Sequence, residues 1–148
     1  MLKRFLLILI LLTGCATTAN TPPAPPTEFE TACTQAENLG YSCADIAEPI
    51  IVVSDIVLDH YFNMYGHLRG VYYSGEHYVF IRPGQSPDKQ WTTTVHEVAH
   101  YILHQNDPDL DRCKQEELAR FIAGQEPDKW RELYNCPKED DDAPTDTT

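Results

Sequence analysis

Two histidines four residues apart with a glutamate between them, in Val95-His96-Glu97-Val98-Ala99-His100, are the residues of this 148-residue chain best suited to chemistry. On an α-helix that spacing puts both imidazoles on one face, about one turn apart. Two ring nitrogens can then meet one zinc ion at about 2.0–2.1 Å. Glu97 lies about 100° around the helix from His96, too far to be a straightforward ligand. It can still face a water whose pKa the metal lowers toward about 7, and take its proton. The plain alternative is a pair of histidines on an ordinary amphipathic helix. Val95, Val98, Ala99 and Ile102 argue against it, because they bury the helix and leave the polar triplet to line a cleft.

A catalytic zinc needs a third protein ligand and an open position. The pattern His-Glu-x-x-His-x-x-Gly-x-x-His fails, since Leu103 stands at the glycine and Asn106 at the third histidine. His104, one turn beyond His100, cannot converge with two residues stacked along the same helix, and is expected at solvent or behind the ligands. A carboxylate from the next helix remains. His100 stands shortly before the break that begins at Asn106 and Glu116 shortly after the second helix is under way, so in a helical hairpin those positions lie at similar heights, and the adjacent Glu117 competes with Glu116. Glu116 is preferred because it shares a side with Ala119 and Ala123, small residues that let two helices approach. Glu117 sits on the other flank, near Arg120 and Phe121. Asp107, Asp109 or Asp111 could orient a ligand imidazole from behind.

These residues resemble the gluzincin group of zinc metallopeptidases, in which the motif helix supplies two histidines and the following helix a glutamate. The stretch Cys113-Lys114-Gln115-Glu116-Glu117-Leu118-Ala119 is also similar to a Cys-x-x-Glu-x-x-Ala pattern of small exported metallopeptidases. The resemblance implies an α+β fold: a minimal zincin-like domain whose small twisted sheet packs on the motif helix and a following ligand helix. It further implies that an edge strand, expected over residues 76–82, holds extended substrate. The implied activity is zinc-dependent hydrolysis of peptide (amide) bonds with one Zn2+ ion, His96, His100 and Glu116 as ligands and Glu97 as catalytic base. An oxyanion partner is expected, with His77, Tyr101 and Tyr134 as candidates. A non-catalytic zincin-like domain that binds metal or a partner is the alternative, and an envelope-structural protein with no metal is a third reading. An intact Glu97 favours chemistry, since binding zinc does not require it.

The elements that must position these residues follow from periodicity and breakers. Residues 28–39 predict a short helix, with Phe29, Ala32, Ala36 and Leu39 at helical spacing. Ile50-Ile51-Val52-Val53 suits a buried strand. Residues 70–73 and 76–82 predict a hairpin about Ser74-Gly75. Ser86-Pro87 opens the motif helix, whose apolar stripe is Trp91, Val95, Val98, Ala99 and Ile102. Asn106-Asp107-Pro108-Asp109 ends it. A second helix over residues 110–124 has Leu118, Phe121 and Ile122 as its core stripe, and residues 128–134 predict a last short helix. No internal repeat is seen.

The N-terminus concerns the compartment. Lys3 and Arg4 precede an unbroken apolar run, Phe5 to Leu12. Eight residues rise only about 12 Å as a helix, far short of a hydrocarbon core of about 30 Å. Residues 1–14 thus look like an export signal, and Leu12-Thr13-Gly14-Cys15 resembles a bacterial lipobox, in which Cys15 is lipidated. By that resemblance, Ala16 in place of Asp implies the outer membrane, at its periplasmic face. Residues 15–27 form a Pro-rich tether, residues 28–137 the zincin-like domain, and residues 138–148 an acidic disordered tail. The four other cysteines suit an oxidising compartment and predict two local disulfides, Cys33–Cys43 and Cys113–Cys136. A formal charge of −12 excludes a general nucleic-acid-binding surface. The expected partners are a peptide or protein substrate and, through the lipid anchor, a membrane.

Overall fold

A computed structural model of the chain describes residues 24–61, 68–74, 76–125, 130–133 and 135–136. The predicted signal, Cys15, most of the tether, Tyr134 and the acidic tail lie outside the described residues. The elements are α1 (Glu28–Asn38), β1 (Ile50–Val53), α2 (Asp55–Tyr61), β2 (Gly70–Tyr73), β3 (Tyr78–Ile81), α3 (Pro87–Asn106), α4 (Arg112–Ile122) and α5 (Trp130–Leu133). The fold is a small α+β domain in which a three-stranded mixed sheet packs on α3, with α1 and α4 on the same helix. No helix among the described residues is long and apolar enough to cross a membrane.

The sheet has the order β1-β3-β2. β3 pairs in parallel with β1 (Ile50 opposite Tyr78) and antiparallel with β2 (Gly70 opposite Ile81). This corrects two expectations. The strand inside residues 76–82 is central, so it cannot offer an open edge to substrate; β2 occupies that position beside α3. The Ile50–Val53 strand is an edge rather than a buried strand, and its Ile50 and Val53 are about half exposed. β-Branched composition reports strand propensity, and the pairing partner then decides whether the strand is covered. The seven-residue α2 was not anticipated. It is too short to show a clear period, and Leu58 is buried within it.

α3 is the centre of the core. Val95, Val98, Ala99, Tyr101, Ile102 and Leu103 are buried on it, against Val79 and Ile81 of β3 and Ala32 and Ala36 of α1. The two alanines bring α1 close, and a Thr27–Glu30 capping box starts that helix. Asn106 does more than end α3. Its side chain accepts from Ser42 N and donates to Ser42 O, both at 2.9 Å, fastening the helix to the segment after α1. Trp91 is 38% exposed instead of joining the stripe. Twenty helical residues span about 30 Å, whereas four-residue strands span about 13 Å, so the first turns of α3 overhang the sheet. Phe121 is likewise 62% exposed, because α4 turns Glu116, Ala119 and Ile122 inward. The disulfides join Cys33 to Cys43 and Cys113 to Cys136.

Candidate metal centre

α3 and α4 form the helical hairpin that the breaker at Asn106 predicts. Asp111 caps α4, accepting from Cys113 N and Lys114 N at 2.9 and 3.1 Å. Cys113, tied to Cys136, anchors the same first turn. One turn later Glu116, 4% exposed, points across to α3. Fully buried Ala119 lets the helices come close enough for the side chain to cross.

There three donors converge. His96 Nε2 and His100 Nε2 are 3.1 Å apart, Glu116 Oε2 is 3.1 Å from His100 Nε2, and Glu116 Oε1 is 3.6 Å from His96 Nε2. One atom from each residue lies within 4.8 Å of the others. Ligands about 2.05 Å from a tetrahedral ion stand about 3.3 Å apart, which is the spacing of these pairs. Two imidazole nitrogens and a carboxylate oxygen are also a donor set that zinc accepts. The residues therefore fit such an ion.

Electrostatics agree with a cation site. Burial alone would raise the Glu116 pKa, but hydrogen bonds from His100 and His96 and their charge hold it well below the usual carboxylate range. Arg120 Nε donates to Glu116 Oε1 at 2.8 Å, fixing one oxygen while the other faces His100. This corrects the placement of Arg120 beside Glu117. Arg120 is four residues beyond Glu116, and that i,i+4 spacing was the signal that could have found it. Glu117 instead pairs with Lys114 and Arg131 on the outer side.

The three donors line a cleft of about 950 Å3 between α3, α4 and β2. Glu97 lines it too, buried, and among the described residues makes no hydrogen bond or ion pair. Its carboxylate is outside the converging set, as its angular position on the helix requires. Glu97 packs against Gly70 of β2: a Cβ built there would stand 2.8 Å from Glu97 Cγ. Gln85 clamps the strand at this point, donating to Arg69 O and accepting from Thr93 Oγ1. Neither Gly70 nor Gln85 stood out in the sequence.

Other predicted residues land elsewhere. Tyr101 is buried and donates to Ala47 O at 2.7 Å, away from the cleft, so it is no oxyanion partner. His77 forms a T-shaped ring contact with Tyr101, outside the cleft lining. Asp107 and Asp111 are spent on turn and cap hydrogen bonds, and Asp109 reaches neither imidazole among the described contacts. His96 Nδ1 is buried with no partner among the described residues. His104 lines the cleft beside Tyr72.

With this geometry in place, comparison with known proteins adds one finding. The family model described as Peptidase_M78, IrrE N-terminal-like domain, matches residues 59–126. The match supports a zincin-like domain of metallopeptidase type. It spans β2, β3, α3 and α4, so it holds Glu97 and all three converging donors. The family is a zinc-type one that also includes non-catalytic regulators. No curated protein and no solved structure matches the chain.

Proposed function

We propose that the chain is a zinc-dependent hydrolase of peptide (amide) bonds, exported and held on a bacterial membrane through Cys15. The observation that carries the catalytic reading is the convergence of His96, His100 and Glu116 from two helices, with an uncommitted Glu97 carboxylate beside them in the cleft. His96, His100 and Glu116 would hold one zinc ion. When bound, zinc polarises a carbonyl and lowers the pKa of water. Glu97 takes the proton of the attacking water at its carboxylate and passes it to the leaving amine nitrogen. The Gly70 contact limits where that carboxylate can go. Arg120, donating to Glu116 Oε1, keeps that carboxylate oriented.

The outer edge of β2, which no described strand covers, orients the substrate. Arg82 N donates to Arg69 O, so in an antiparallel ladder the alternate residues Gly70 and Tyr72 turn their N–H and C=O groups outward. An extended peptide can add there as a further strand.

The test is Glu97→Gln. The variant is expected to bind stoichiometric zinc, measured by elemental analysis, and to lose roughly 10²–10⁴-fold in peptide hydrolysis. Equal behaviour of wild type and variant on a broad peptide library would favour the non-catalytic binding reading. The anchor rests on the basic start, the short apolar run and Leu12-Thr13-Gly14-Cys15. Mass spectrometry of the mature N-terminus should find acylated Cys15, and an unmodified terminus at another residue would remove it.

A further inference from the structure

The cleft gathers cations in a chain of formal charge −12. Among the described residues, the lysines and arginines outside it all meet acids: Arg82 meets Asp59 at 2.8 Å, Lys114 meets Glu117 at 3.3 Å and Arg131 meets Glu117 at 3.6 Å. The others, Arg69, Lys89, Arg112 and Arg120, all line the cleft. Arg120 is taken by Glu116. Arg69 and Lys89 are exposed and form no ion pair with any described acid.

These two residues share one end of the cleft. Lys89, Thr93 and Glu97 are spaced four apart and form one stripe of α3. Gly70 lies against Thr93 and Glu97, so the preceding residue, Arg69, falls toward the Lys89 turn. Gln85 bridges Arg69 O and Thr93 Oγ1 and fixes this relation. Asp88 shares the wall and offsets only part of the charge. Eight residues of helix separate Lys89 from Glu97, about 12 Å, or three to four residues of extended peptide. An overall anionic protein repels acidic peptides, whereas two cations against one acid at this end of a cleft with low-dielectric walls concentrate their field and draw them to that spot.

We propose that Arg69 and Lys89 form a subsite for a substrate carboxylate about three residues from the cleaved bond, which makes acidic peptides the preferred substrates. This rests on the peptidase reading above. The probe is a fluorescent peptide series binding to zinc-loaded Glu97→Gln protein, followed by polarisation. An acidic residue is moved along the peptide and compared with its amide isostere, and each peptide carries either a free or an amidated C-terminus. Acidic peptides are expected to bind about five- to tenfold more tightly than their isosteres. The advantage should shrink with salt and fall to about one in the Arg69→Gln, Lys89→Gln double variant. Exposure of both side chains means that the variant should keep its melting temperature, and Lys114→Gln should keep the preference. An advantage that follows the free terminus identifies a chain end as the carboxylate; one that follows position identifies a side chain. Equal binding of acids and amides, or a preference that survives in the double variant, overturns the subsite. Hydrolysis by wild type of all peptides alike overturns the subsite alone, and charge-selective binding without hydrolysis overturns the peptidase reading alone.

Discussion

Gly70→Ala is the sharpest probe of how the sheet positions Glu97, the base of the proposed reaction. The added Cβ would stand 2.8 Å from Glu97 Cγ, 2.9 Å from Thr93 Cγ2 and 3.1 Å from Ile81 Cδ1. Ordinary carbon contacts begin near 3.5 Å, so the first two are short by about 0.6–0.7 Å. Gly70 is not among the glycines with positive φ, so alanine meets no backbone penalty there and constrains the unfolded chain by about 0.4–1 kcal/mol. Overpacking of a tight site costs about 1–3 kcal/mol, and a net loss of about 1–2 kcal/mol is expected. Thr93 is β-branched and tied to Gln85, and Ile81 is fully buried, so neither moves easily. Glu97 is the neighbour that can yield, and its displacement moves the carboxylate. A shift approaching 1 Å can cost about 10²-fold in rate. Denaturant unfolding, zinc titration and peptide hydrolysis should therefore separate: stability down by that amount, zinc affinity within about threefold, hydrolysis down about 10- to 100-fold. Wild-type stability together with wild-type hydrolysis would refute the contact argument. A parallel loss of zinc would show that Gly70 supports the ligands and not the base.

The remaining predictions concern α4. Glu116→Gln should weaken zinc binding by at least tenfold while Glu117→Gln changes it by less than about twofold, since Glu117 faces Lys114 and Arg131; competition with a chromophoric chelator measures both. Arg120→Gln should lower zinc affinity about tenfold, because Glu116 loses the donor that orients it, and the same titration reads it. Replacing Cys113 and Cys136 by serine opens a loop with a sequence separation of 23 residues and should cost about 3 kcal/mol in denaturant unfolding on the chain-entropy model. Zinc affinity should fall with it, as the first turn of α4 loses its anchor.

The site was more legible than the frame around it. The spacing of His96 and His100, the break at Asn106 and the distance from there to Glu116 are local facts, and helical geometry turns them into one converging group of donors with few alternatives. The two disulfides were readable for a similar reason: each closes a short loop, and short loops are the easiest to bring together. The choice of Glu116 over Glu117 rested on small neighbours, and of these Ala119 is fully buried. The exposures of Trp91 and Phe121 were misread because period marks a face without saying how far the opposing layer extends.

By itself, then, the sequence determined the motif helix, its partner helix and the side chains each offers, because neighbours along a helix are neighbours in space. Only the tertiary structure decided that β3 is central, that β2 presents an outer edge, that Gly70 abuts Glu97, and that Arg69 and Lys89 share one end of the cleft. Those relations join residues distant along the chain through strand pairing and sheet-to-helix packing, and no short-range periodicity encodes them.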